Sequence, residues 1–284
     1  SPTAVLQYGD HGGATGFLVG QENRGLEYMF IMMNAARYAV GVQGIAIADR
    51  AYQKAVQYAR DRVQSRPVDG SIKASAPIIH HPDVRRMLMT MRAYTEGCRA
   101  MASVAAAAYD AAHHHTDADT RKQNNAVYEF MVPLVKGFST EMSLEVTSLG
   151  VQVHGGMGFI EETGAAQYYR DAKILTIYEG TTAIQANDLV GRKTARDGGQ
   201  TPKALAAQME KTEAELLKIG SDDAKAIAHR LAAARSALLD VVNFIVETAS
   251  SNPNAAYAGS VPYLMLAGNV ISGWQLARSY AAAH

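Results

Sequence analysis

The sequence predicts an all-α protein built on a four-helix bundle, and three observations carry that reading. Apolar residues recur every three to four positions over long stretches, the period of one helix face. The connections between several of these stretches are short, as between neighbouring helices of a bundle. Breaks fall where glycine, proline and polar residues gather, at Ser65 to Ile79, at GGMG (155–158) and at KTARDGGQTP (193–202).

The first residues stand apart. TAVLQY and ATGFLV, separated by GDHGG, place β-branched and aromatic residues between turn signals and predict short strands. Two strands make no stable sheet alone, so residues 1–24 read as the remnant of a larger β unit. From Leu26 the period becomes helical: Met29, Met33, Arg37, Val40, Gly44, Ile47, Ala51 and Ala55 lead to a helix end near Arg62. A second helix opens at HHPDV, where Pro82 suits a first turn, and its stripe runs from Val84 through Met91 and Cys98 to Ala108. A third is expected from about Lys122 to Val153, turning Phe130, Leu134, Phe138, Met142 and Val153 inward. A last bundle helix follows Glu179, so the bundle occupies residues 25–192. Residues 193–202 read as a linker. Helical segments at about 203–219, 222–250 and 261–280 then form an additional small helical domain, residues 203–284.

Lysine plus arginine and aspartate plus glutamate each total 27, giving zero formal charge. That balance offers no electrostatic footprint for nucleic acid and no polybasic membrane patch. One cysteine, Cys98, excludes an internal disulfide framework and a cysteine-rich metal site, and fits a reducing compartment. No run is expected to reach the roughly 18 apolar residues of a membrane span. The N-terminus has no signal-peptide pattern, and its lack of an initiator Met suggests a processed or truncated chain.

Several residues invite chemistry. His113 to His115 are adjacent on a helix and point in different directions, so they cannot share one tetrahedral metal, and no metal site is expected. Gly155, Gly156 and Gly158 exceed what a helix C-cap requires; they read equally as a loop and as backbone approaching a flat or anionic ligand. Arg60 and Arg62, at a helix end, can complement its dipole or grip a pyrophosphate. Asn34 and Arg37 share a helix face. In TIYEGTTAIQ (176–185), Glu179 is an acid among apolar neighbours, beside a bend that Gly180 permits and a helix start that Thr181 can cap. Such a carboxylate is either structural or a tuned general base.

Taken in order, and above all in VQVHGGMGF followed by YRDAKILTIYEGTTAIQ, residues 1–192 resemble the C-terminal half of an acyl-CoA dehydrogenase. The resemblance implies that Glu179 is the catalytic base. It would remove the α-proton of an acyl-CoA thioester while the β-hydrogen leaves as hydride to FAD, giving a trans-2-enoyl-CoA. Arg62 would reach the FAD pyrophosphate of a neighbouring subunit, and Gln152, Val153, His154, Gly155 and Gly156 would contact the adenosine part of FAD across a dimer. Thr181 would lie beside the flavin, Asn34 and Arg37 near the CoA moiety, and Tyr178 along the acyl pocket. The implied partners are acyl-CoA, an electron-transfer flavoprotein and further copies in a homodimer or homotetramer. The implied place is the cytoplasm, or the mitochondrial matrix of a eukaryote.

The chain departs from the family pattern at Arg62-Val63-Gln64-Ser65-Arg66, where arginine–x–x–Phe–Gly is usual, and at Ala183, where relatives often carry glutamine. The longer loop after Arg66 and the added domain resemble the large subgroup that includes 3-methylmercaptopropionyl-CoA dehydrogenase. The family's N-terminal domain and most of its middle domain have no counterpart in these residues, which implies weak FAD binding by this chain alone. The rival readings are an acyl-CoA oxidase, a non-enzymatic helical assembly module and a nucleic-acid-associated relative.

Overall fold

The computed structural model describes residues 4–284. Helix α1 (Gly25–Asp61) is followed by a loop, a 3-10 turn (Ile78–His80) and α2 (Pro82–His114). Helix α3 (Ala118–Pro133) passes through a π-turn (Leu134–Phe138) into α4 (Ser139–His154). Short α5 (Gly156–Phe159) and a 3-10 turn (Glu161–Thr163) lead to α6 (Ala165–Leu175) and α7 (Thr182–Val190). A second π-turn (Gly191–Ala195) precedes α8 (Gln200–Ile219), α9 (Asp222–Thr248), α10 (Pro253–Ala258) and α11 (Ser260–Ala283).

Helix α1 packs along α4, α2 and α6, and α2 packs along α3. Val40, Ala51 and Ala55 point inward on α1, and Met87, Met91, Cys98 and Met101 on α2, as their spacing predicts. Burial pushes the Cys98 thiol up to about 12. The expected third helix is two helices. Pro133 has no backbone N–H to donate, and the π-turn inserts an extra residue just beyond it. All five π-turn residues are buried, Lys136 among them. Helix α1 comes so close to this turn that a Cβ on Gly41 would stand 2.3 Å from the Val135 carbonyl oxygen.

The strands expected near the N-terminus do not form among the described residues of that segment; Ser1 to Thr3, where the first would begin, lie outside them. The reason is lack of partners: Val5, Phe17 and Val19 are almost fully exposed, with no sheet to pair with. Helix α1 corrects a second expectation. It contains an 18-residue window with mean hydropathy 1.2, long and apolar enough by composition to cross a membrane, and 29% of that window is buried. Its apolar residues occupy more than the inward stripe: Phe30, Met32 and Val42 are exposed while Val40 and Ile45 are in the core. Helix α6, absent from the sequence reading, fills the stretch between GGMG and Glu179.

Residues 193–202 form a packed junction. Asp197 accepts hydrogen bonds from the Gly199 and Thr201 amides at the start of α8, and buried Thr194 meets the Tyr263 hydroxyl at 2.9 Å. Helix α11 lies against α7, α2 and α9, and one apolar core runs from Ile45 and Phe138 to Leu205 and Trp274. A Cβ on Gly268 of α11 would stand 2.2 Å from Phe138 Cγ, so the C-terminal helices press directly on the π-turn.

Candidate active site

The turn between α6 and α7 carries Tyr178, Glu179, Gly180 and Thr181. Glu179 has φ +57° and Gly180 φ +90°, two successive left-handed residues. Glycine adopts that region freely; a glutamate there costs about 1 kcal/mol or more and needs surrounding structure to hold it. Hydrogen bonds from three residues do so. Lys136 Nζ, from the α3–α4 π-turn, donates to the Gly180 carbonyl at 2.6 Å. Gln185 Nε2 donates to the same oxygen at 3.2 Å and reaches the Glu179 carbonyl at 3.4 Å. The Thr182 amide donates back to the Thr176 carbonyl at 3.2 Å, and the Thr182 hydroxyl to Glu141 on α4.

The turn thus fixes its backbone from inside the bundle while the Glu179 side chain stands exposed. Beside it, the Tyr178 hydroxyl donates to Gln43 Oε1 at 2.6 Å, and burial, then the Glu179 charge, raises the phenol above its ordinary value. Thr181 occupies the N-cap position of α7, but its side chain makes no capping hydrogen bond, so the cap expected from sequence is not made. Ala183 is exposed on the first turn of α7.

A separate cleft of about 430 Å³ is lined by Arg62, Gln152, Val153, His154, Gly155 and Gly156, six of the seven residues expected at the cofactor; Thr181 lies apart from it on the Glu179 turn. Gly155 ends α4 at φ +60°, and Cβ atoms on Gly155 or Gly156 would meet nothing within 4 Å, so bare backbone faces open space. At Gly158 a Cβ would strike the Val151 carbonyl at 2.3 Å, a packing requirement instead. His154 is buried, stacked on Tyr58 with ring centroids 4.4 Å apart, and its Nδ1 lies 2.7 Å from the Gly150 carbonyl oxygen. Burial lowers its pKa, favouring neutral imidazole. The Arg62 side chain is exposed and makes no hydrogen bond among the described residues. Open glycine backbone beside an uncommitted guanidinium suits a flat ligand with an anionic arm.

Asn34 and Arg37 line a third place, a polar cleft of about 530 Å³ shared with Glu129, Arg192, Lys193 and Arg196. Arg37 is buried and donates to Asp188 Oδ2 at 3.2 Å, while its Nε is buried without a partner. Arg192 Nε stands 2.9 Å from the other Asp188 oxygen. Asn34 Nδ2 reaches Glu129 Oε1 at 3.4 Å. His113 to His115 are exposed at the end of α2. Sequence reasoning missed Lys136, Glu141 and Gln185, which hold the Glu179 turn. The available signal was a lysine inside the apolar run MVPLVKGF.

The model of the acyl-CoA dehydrogenase C-terminal domain matches residues 23–193. The chain belongs to the acyl-CoA dehydrogenase family. A second model, described as acetyl-CoA dehydrogenase C-terminal like, matches residues 205–284. The chain is 61% identical to 3-methylmercaptopropionyl-CoA dehydrogenase of Ruegeria pomeroyi, over 100% of this chain and 47% of that protein. It is 37% identical to a broad-specificity linear acyl-CoA dehydrogenase of Mycobacterium tuberculosis, over 100% of this chain and 48% of that one. The chain therefore spans about half the length of these relatives. Among solved structures, ACDH-11 of Caenorhabditis elegans in complex with C11-CoA superposes with TM-score 0.77 at 19% identity, over 93% of this chain and 42% of that one. An acyl-CoA dehydrogenase from Bacillus anthracis complexed with FAD superposes with TM-score 0.71 at 22% identity, over 91% and 44%. Over the superposed part these two share the helical fold of this chain, and the resemblance to the subgroup of 3-methylmercaptopropionyl-CoA dehydrogenase stands on the sequence match.

Proposed function

We propose that this chain is the C-terminal part of an FAD-dependent acyl-CoA dehydrogenase in which Glu179 is the base. The observation that carries the reading is the turn itself: an exposed carboxylate on strained backbone, braced from the interior by Lys136 and Gln185. A glutamate persists in the left-handed region only where its surroundings hold it, and here they do. Glu179 would take the proton from the carbon α to the thioester carbonyl as the β-hydrogen departs with its electron pair and the trans double bond forms. FAD, when bound, supplies the hydride acceptor.

The remaining roles are those the family resemblance implies, and the clefts described above support them. Arg62 and the Gln152 to Gly156 segment would hold the pyrophosphate and adenosine of FAD, each from a neighbouring subunit of a homodimer or homotetramer. Thr181, with its hydroxyl free of capping duty, would lie beside the flavin, and Tyr178 would wall the acyl pocket. Asn34 and Arg37, in a cleft with Arg192, Lys193 and Arg196, would face the polyanionic CoA tail. Electrons would pass on to an electron-transfer flavoprotein in the cytoplasm. The deciding experiment is anaerobic mixing of the full-length flavoprotein with acyl-CoA thioesters. Bleaching of the flavin by wild type, lost in Glu179→Gln at unchanged flavin content, is expected. Bleaching that survives in Glu179→Gln would overturn the assignment.

A further inference from the structure

Lys136 is the one fully buried lysine described, and it is spent on a single backbone oxygen. Burying an ammonium is costly, and long cationic side chains at a surface usually keep their heads in water. The π-turn removes that option. Its extra residue places Leu134, Val135, Lys136, Gly137 and Phe138 all inside, so the lysine cannot snorkel. Its Nζ ends 2.6 Å from the carbonyl of Gly180, the residue directly after Glu179. From the structure we infer that Lys136 is a positioning residue for Glu179: its buried ammonium anchors the Gly180 carbonyl, fixes the left-handed turn and sets a positive charge behind the base. The inference rests on the reading of Glu179 as the base.

The geometry excludes a merely space-filling role. An apolar side chain would fill the volume without giving the Gly180 oxygen its closest donor; Gln185 alone would remain, at 3.2 Å. The charged groups around the ammonium are Glu141 on α4, Arg37 on α1 and Glu179 on the turn. Glu141 also takes the Thr182 hydroxyl, so one carboxylate and one ammonium brace the turn from its two sides. Burial pulls Lys136 down to about 8, against the opposing pull of Glu141 and Glu179.

The test is single-turnover flavin reduction by acyl-CoA in the full-length flavoprotein, comparing the limiting rate and half-saturation of wild type with those of Lys136→Met, Gln185→Met and Glu179→Gln. Wild-type reduction that is lost in Glu179→Gln establishes the base. With that in hand, Lys136→Met is expected to slow the limiting rate by about tenfold to hundredfold, with half-saturation and flavin content nearly unchanged. Gln185→Met removes the second donor from a different helix and should slow the same step by a smaller factor. It also decides the anchoring of the turn should Lys136→Met lose its flavin. A Lys136→Met or Gln185→Met enzyme with wild-type limiting rate, or a Lys136→Met enzyme whose loss lies in half-saturation and not in the limiting rate, refutes the inference. Absence of reduction in wild type refutes the underlying reading instead.

Discussion

Replacing Asp188 with alanine should damage the fold more than replacing its partner Arg37 with methionine. Both residues are buried, at 4% and 6% exposure, and their contact is 3.2 Å. Asp188→Ala strands the Arg37 guanidinium, whose Nε already has no partner, inside the bundle. Arg192 is half-exposed and can turn to water, so its loss of Asp188 adds little, in the 0–1 kcal/mol of a surface pair, roughly. The stranded cation dominates, and breaking a buried pair this way costs about 3–5 kcal/mol. Arg37→Met leaves Asp188 with the Arg192 charge 2.9 Å away, an ion pair without hydrogen-bond geometry, so its cost should fall to about 1–3 kcal/mol. Urea unfolding followed by far-ultraviolet circular dichroism reads the difference, since 4 kcal/mol moves the midpoint by about 1–2 M at usual slopes. The double variant Arg37→Met/Asp188→Leu should cost less than the two single losses summed. Arg37→Met proving the costlier change, or Asp188→Ala costing under about 1 kcal/mol, would show that the pair is not the buried tie described here.

Two further outcomes follow from packing and charge. Gly268→Ala drives a Cβ to 2.2 Å from Phe138 Cγ and should destabilise by about 1–3 kcal/mol, while Gly273→Ala, on the same helix with nothing within 4 Å, should gain up to about 1 kcal/mol; paired melting temperatures decide. Lys136 has a folded pKa of about 8 against 10.5, so the unfolded chain binds more protons between those values and stability should rise with pH across that window, by at most about 3 kcal/mol, with the rise absent in Lys136→Met.

What the sequence disclosed and what it hid separate along a physical line. Period and punctuation sufficed for α1, α2 and the C-terminal helices, because each buries one continuous stripe and ends at a glycine, proline or polar break. The π-turn was illegible because one inserted residue rotates the inward face without altering composition; Phe130, Leu134 and Phe138 keep a helical spacing through it. The N-terminal strands were misread because β-branched residues predict a strand only where a neighbouring strand supplies partners, and Val5 and Phe17 have none here. Glu179 could be singled out from its odd setting. Its support could not, since Lys136 and Gln185 reach it from 43 positions before and six after through a tertiary arrangement no spacing rule encodes.

The same inserted residue explains why the C-terminal helices belong to the site's architecture. Phe138, at the end of the π-turn, presses on Gly268 of α11, and Gly137 faces Leu264 of that helix and Gln185 of α7. Lys136, one residue earlier, holds the Gly180 carbonyl. A perturbation of α11 therefore acts on the segment that braces the turn of Glu179, the proposed base, through side chains in direct contact. Gly268→Ala, which overpacks this junction, should lower the limiting rate of flavin reduction in the full-length protein even below its melting transition, by about the amount a sub-ångström displacement of Lys136 costs. Gly273→Ala, on the same helix but clear of the turn, should leave that rate unchanged. Equal rates in the two variants would confine α11 to stabilising the fold and sever it from the chemistry of Glu179.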